Sequence, residues 1–211
     1  CEHEAEFQSL LDNYYRLAWS RKPEYMGWER EWDAVPERNE LSTTDFSFDN
    51  YNDARQRLAD YEHLSDRAAA IAMQLPEELR PAFFEMFAYP LMAANQMNRK
   101  FLLAQLNKEQ LAEGNKAGAN WAAQLSQAAH DSIKSLNRYF NTMLAGKWNG
   151  MMDVPPGFCA RYQNMPDVTV TAGLAPQPVD IAPQESQKQL DGCLVVNLRE
   201  AEITRSEEHT S

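Results

Sequence analysis

From residue 116 to residue 146 the chain reads KAGANWAAQLSQAAHDSIKSLNRYFNTMLAG. Trp121, Leu125, Ala128, Ile133, Leu136, Phe140, Met143 and Leu144 recur there at three- and four-residue steps, so a helix gathers them on one side against a core. Gly146 stands where a helix ends on a residue free to turn left-handed.

Upstream the same period recurs three times. Phe7, Leu10, Leu11, Tyr14, Leu17 and Ala18 predict a helix from Glu2 to Lys22, stopped by Pro23. Tyr51, Ala54, Leu58, Tyr61, Leu64, Ala68, Ile71 and Leu75 predict a second, capped by Asp49 or Asn50 and ended by Pro76. Glu77 and Glu78 then sit at the positive end of a third helix, which runs through Phe83, Phe87, Leu91, Met97, Phe101 and Leu111 and closes at Gly114. Pro90 lies inside it, lacks a backbone donor and predicts a kink. Between the first two helices, residues 24–48 carry Trp28, Trp32 and Pro36 without a period, and read as a long connection clamped by its tryptophans. The expectation is an all-α fold: an antiparallel bundle of four to five helices over residues 1–146. An irregular loop over 147–172 follows, with a β-prone stretch from Val168 to Thr171 that would begin a β-rich region. The tail, 173–211, has little periodicity and reads as disordered, and its end, RSEEHTS, resembles a translated sequencing-library adapter.

A chain of 211 residues suffices for one domain and a tail. The net charge of -11 makes a phosphate backbone or an anionic bilayer a poor partner. No run approaches the ~20 apolar residues of a membrane span. Cys1, Cys159 and Cys193 are odd in number and far apart, and outline neither a disulfide framework nor a zinc site. A first residue of cysteine reads either as an internal piece of a longer protein or as a mature lipoprotein, and the immediate start of a helix favours the former.

Glycoside hydrolysis asks for two carboxylates facing each other, one kept protonated by its surroundings. Glu62, Asp66, Glu109 and Asp131 lie off the apolar stripes and read as solvated faces. Asp60 with His63 approximates half of a carboxylate-bridged metal centre, but Gln127 holds the matching place beside His130, so neither metal nor cofactor is expected. No GxSxG elbow or glycine-rich phosphate loop occurs.

Residues 146–166, GKWNGMMDVPPGFCARYQNMP, are different in kind. Aromatic rings stack on sugar faces, and amides, carboxylates and guanidinium groups bind hydroxyls and uronates. Trp148, Asn149, Asp153, Arg161 and Tyr162 are therefore the candidate residues of a carbohydrate-facing or domain-docking loop. The competing reading is that Trp148, Met151 and Met152 close the end of the core, and for the methionines it is the preferred one.

At this loop the chain resembles glycoside hydrolase family 115. AGKWNGMMD, residues 145–153, is similar to the family's GKWNHMMD-type signature, with Gly150 where members carry histidine. YYRLAWSRKP (14–23), NYNDARQRL (50–58), AFFEMFAYP (82–90) and AANQMNRK (93–100) follow the family's order, and the match covers about residues 5–172. The resemblance implies a modular, extracytoplasmic (secreted or periplasmic) xylan α-1,2-glucuronidase, in which an α/β barrel carries the catalytic acids and a helical bundle accompanies it. On that implication this chain is the bundle, its partners are the barrel and glucuronoxylan, no catalytic residue is carried over, and dimerisation of the parent is left open. The alternative expectation is a stand-alone helical interaction module, lipid-anchored through Cys1, that does no chemistry.

Overall fold

The computed structural model describes residues 4–26, 44–153 and 165–184. Its helices are α1 (Glu4–Ser20), α2 (Asp53–Gln74), α3 (Arg80–Phe83), α4 (Tyr89–Ala112) and α5 (Lys116–Gly146), with no strand among the described residues. A π-helical turn, Phe84–Ala88, joins α3 to α4, so the five segments form four rods. This is the all-α bundle that the periodicity predicts.

Cross-contacts fix the directions. Arg67 near the end of α2 meets Glu6 at the start of α1, while Arg57 near its start meets Leu17 and Ser20 at the end of α1. Tyr89, Lys100 and Asn107 on α4 meet Asn137, Ser126 and Ala119 on α5, in reversed order. Each rod is thus antiparallel to the next. The core has two parts. Leu10, Leu17, Tyr61, Leu64, Ile71, Phe83 and Leu91 fill one end, and Met26, Phe48, Leu58, Phe101, Leu102, Leu103 and Leu106 fill the other.

Arg57 ties three rods together. It is 3% exposed, and its guanidinium donates to Asn98 Oδ1 (2.6 Å), the Leu17 carbonyl (3.0 Å), Ser20 Oγ (2.9 Å) and the Arg21 carbonyl (2.6 Å). Those carbonyls lie at the negative end of α1, so the buried cation caps the helix that it anchors. The Phe46 and Tyr61 rings lie 4.5 and 5.0 Å from it.

The expected irregularity at Pro90 takes a specific form. Pro90 cannot donate to the turn before it, and the Tyr89 N–H reaches back five residues to the Phe84 carbonyl, giving a π turn.

Three boundaries differ from expectation. α2 starts at Asp53, not at Asp49 or Asn50: Tyr51 and Asn52 turn left-handed, and Asp53 Oδ1 accepts from the Ser47 N–H (2.6 Å). Within α5, regular dihedrals stop before Met143, and Leu144 and Ala145 adopt left-handed φ of 52° and 56°. Gly146 is therefore the third left-handed residue in a row, not the first, and Leu144 faces solvent. The stretch 168–171 joins no sheet among the described residues. Asn107, fully buried, gives its Nδ2–H to the Thr169 carbonyl and accepts the Thr169 N–H (both 2.9 Å). Asn120 does the same for Thr171 (2.9 and 2.7 Å) and also donates to the Leu174 carbonyl (2.8 Å). The two side-chain amides stand in for a neighbouring strand.

After a turn at Ala172 and Gly173 (φ 74°) the strap continues to Gln184, through Gln177 on Ala117, Asp180 on Arg55 and Gln184 on Asn52. Gly118 makes room for it: a Cβ there would lie 2.6 Å from Val179 Cγ2 and 2.4 Å from the Asn115 side chain that caps α5. Trp28, Trp32 and the end of the tail lie outside the described residues.

Candidate functional site

The chain turns back on α5 after residue 146, and the turn is set by one buried amide. Asn141 donates from Nδ2 to Asp153 Oδ1 (2.9 Å) and accepts the Met152 N–H on Oδ1 (2.9 Å). Short turns, Asn149 N–H to Gly146 and Asp153 N–H to Gly150, coil the segment between. Asn149, Met152 and Asp153 thereby form one rim of an open cleft of about 900 Å³.

One wall of the cleft belongs to α5. His130, Ile133, Lys134, Asn137, Arg138 and Asn141 recur at three- and four-residue steps and share a stripe. The floor is α4, from Tyr89 and Pro90 to Ala93, Ala94 and Met97. Tyr14 of α1, with Pro23 and Glu24 of the turn after it, makes the facing wall. The π turn places Tyr89 so that its hydroxyl donates to Asn137 Oδ1 (2.8 Å).

The lining carries two cations, Lys134 and Arg138, and two carboxylates, Glu24 and Asp153. Lys134 and Arg138 are exposed, and among the described residues neither has a carboxylate within ion-pair distance. Behind them Lys100 is fully buried, and burial, reinforced by the charge of Lys134, pushes its ammonium down to about 7. Burial also lowers His130 to about 4, with Lys100 and Lys134 adding to the effect, so the imidazole is neutral at physiological pH. Burial raises Tyr14 and Tyr89, which remain phenols able to donate.

The expected site residues divide. Asn149 and Asp153 come together on the cleft. Trp148 turns the other way: its Nε1–H donates to Glu85 Oε2 (3.0 Å) and the Lys147 ammonium lies 4.4 Å from its ring, which fastens the turn to the π segment. Met151 is 57% exposed and does not close the core, whereas Met152 is half-buried. Arg161 and Tyr162 lie outside the described residues. Of the acids read as solvated, Glu62 pairs with Arg99 at the surface, but Glu109 is half-buried and raised by that burial while accepting from Gln105 (2.8 Å).

Tyr14, Tyr89, Lys134, Asn137 and Arg138 are cleft residues that the sequence did not single out. The available signal was the spacing of His130, Lys134 and Arg138, three basic side chains one turn apart. The carboxylates of the cleft, Glu24 and Asp153, are both exposed. Among the described residues no three His, Cys, Asp or Glu side chains group as a metal site.

No family model and no curated protein matches the chain. Among solved structures it is similar to a family GH115 4-O-methyl-α-glucuronidase with specificity for decorated arabinogalactans, at 33% identity and a TM-score of 0.62. The match covers 82% of this chain and 21% of that enzyme, so the chain spans about a fifth of its length. The likeness supports a GH115-like fold for this helical region.

Proposed function

We propose that this chain is the helical accessory module of an α-glucuronidase, a glycoside hydrolase that removes glucuronic acid or its 4-O-methyl ether from a decorated plant polysaccharide. The catalytic acids belong to a barrel on a longer parent chain, and the polysaccharide is glucuronoxylan, as the sequence motifs suggest. The setting of such an enzyme is extracytoplasmic, since its polymer cannot enter a cell intact. The observation behind this reading is the 33% identity to a family GH115 glucuronidase along most of the chain. A second observation agrees with a docked module: Tyr15 and Trp19, one turn apart on α1, are 65% and 93% exposed, an aromatic face suited to a neighbouring domain.

The test is release of 4-O-methylglucuronic acid from glucuronoxylan, and of glucuronic acid from decorated arabinogalactan, by the folded chain and by the product of the longer gene. The longer protein should release the acid and the 211-residue chain should release none. Release by the short chain would place catalytic carboxylates within it. A gene holding no barrel would favour the interaction module instead.

A further inference from the structure

Lys134 and Arg138 are the unusual members of the cleft. Two exposed cations one helical turn apart have Cβ atoms roughly 5–6 Å from each other, a spacing that one carboxylate can bridge. They have no such partner among the described residues, although the chain as a whole carries 31 acids and 20 bases. The cleft balances two carboxylates, Glu24 and Asp153, against this pair, and gathers both cations on its α5 wall. The other lining groups have a consistent character. Tyr14 and Tyr89 offer ring faces, Tyr14 offers a phenolic donor, and Asn137 and Asn149 offer amides, the Tyr89 hydroxyl being spent on Asn137 Oδ1. The acids that face the pair, Glu24 and Asp153, lie on the opposite wall and the rim, and Asp153 is engaged by Asn141. A purely apolar ligand would leave these groups unsatisfied, and a bare inorganic anion would leave the rings and amides unused.

We infer that the cleft between α1, α4 and α5 binds an acidic sugar unit, its carboxylate between Lys134 and Arg138 and its ring hydroxyls toward Asn137, Asn149 and the tyrosines. This rests on the glucuronidase reading for the identity of the sugar, and it assigns the helical module a saccharide-binding cleft. Such a site would hold a uronate side chain of the polymer next to the enzyme and so raise its local concentration.

The experiment is a two-dimensional NMR titration of the full chain, helical by circular dichroism, with glucuronic acid, with glucuronamide as its neutral counterpart, and with sulfate. Glucuronate should shift signals of residues 130–141 and 149–153, and glucuronamide should bind about tenfold more weakly, the effect of one charge-assisted contact. K134Q and R138Q, at exposed positions that leave the core intact, should each weaken glucuronate by about the same factor. Equal binding of glucuronamide, displacement by sulfate as effective as by glucuronate, or no shift in these segments at tens of millimolar would each overturn the assignment. None of those outcomes bears on glucuronidase activity of the longer protein, which the release assay decides separately.

Discussion

Replacing Lys100 by methionine should stabilise the protein at neutral pH, and the gain should shrink as the pH rises. Lys100 is fully buried on α4, with the Phe101 ring 5.0 Å from its ammonium and Lys134 as a repelling charge. Its folded pKa of about 7 lies below the ordinary 10.5, so between those values the unfolded chain binds a proton that the folded one does not. Stability therefore rises with pH across that window, and the charge works against folding most fully below it. At about 1.4 kcal/mol per pKa unit, the wild-type protein should gain about 2 kcal/mol between pH 7 and pH 9 from this group alone. Methionine is close in volume, bears no charge and needs no desolvation, so K100M removes that slope. The assay is urea unfolding of both proteins under reducing conditions at the two pH values, followed by helical circular dichroism. Parallel pH profiles, or a K100M protein less stable than wild type by more than about 1 kcal/mol at pH 7, would refute the reasoning.

Three other predictions concern the scaffold. R57K keeps the charge but loses the planar fork that serves Asn98, Leu17, Ser20 and Arg21, and should cost about 2–4 kcal/mol in urea unfolding; a loss under 0.5 kcal/mol would mean that the fork is replaceable. N120A should abolish hydrogen-exchange protection at the Thr171 N–H, whose acceptor is Asn120 Oδ1, while leaving Leu103 in the core protected; retained protection at Thr171 would count against the strap. G118A would gain up to about 1 kcal/mol in an ordinary helix, but here it should lower the melting temperature because the new methyl meets Asn115, Gln110 and Val179 at once. A rise in melting temperature would show that those side chains give way freely.

The four rods were legible because their apolar spacing is regular and prolines or glycines mark their ends. The end of α5 was not. Gly146 is the residue that local preference nominates, yet Leu144 and Ala145 turn left-handed before it, at an energetic cost that their side chains would normally forbid. The compensation is tertiary: Asn141 pins Met152 and Asp153, and Glu85 holds Trp148, neither of which is visible in a local window. In the same way nothing in the local spacing around Asn107 and Asn120 shows the strap that lies across them. On the cleft, composition found Asn149 and Asp153 because they sit in a dense motif. It missed Lys134 and Arg138 because bases on the outer side of a helix ordinarily face water, and it counted Tyr14 as core although it is only half-buried.

The strap makes the bundle indifferent to much of what crosses it. Asn107 and Asn120 grip the main chain of residues 169, 171 and 174, and Val170 between the first two grips is 63% exposed. The route is thus encoded in two asparagines on the helices and hardly at all in the letters of the strap. Foreign sequence could be written over 169–172 and still follow the same path, with proline barred at 169 and 171, where the amide hydrogens are needed, and glycine kept at 173, where φ is 74°.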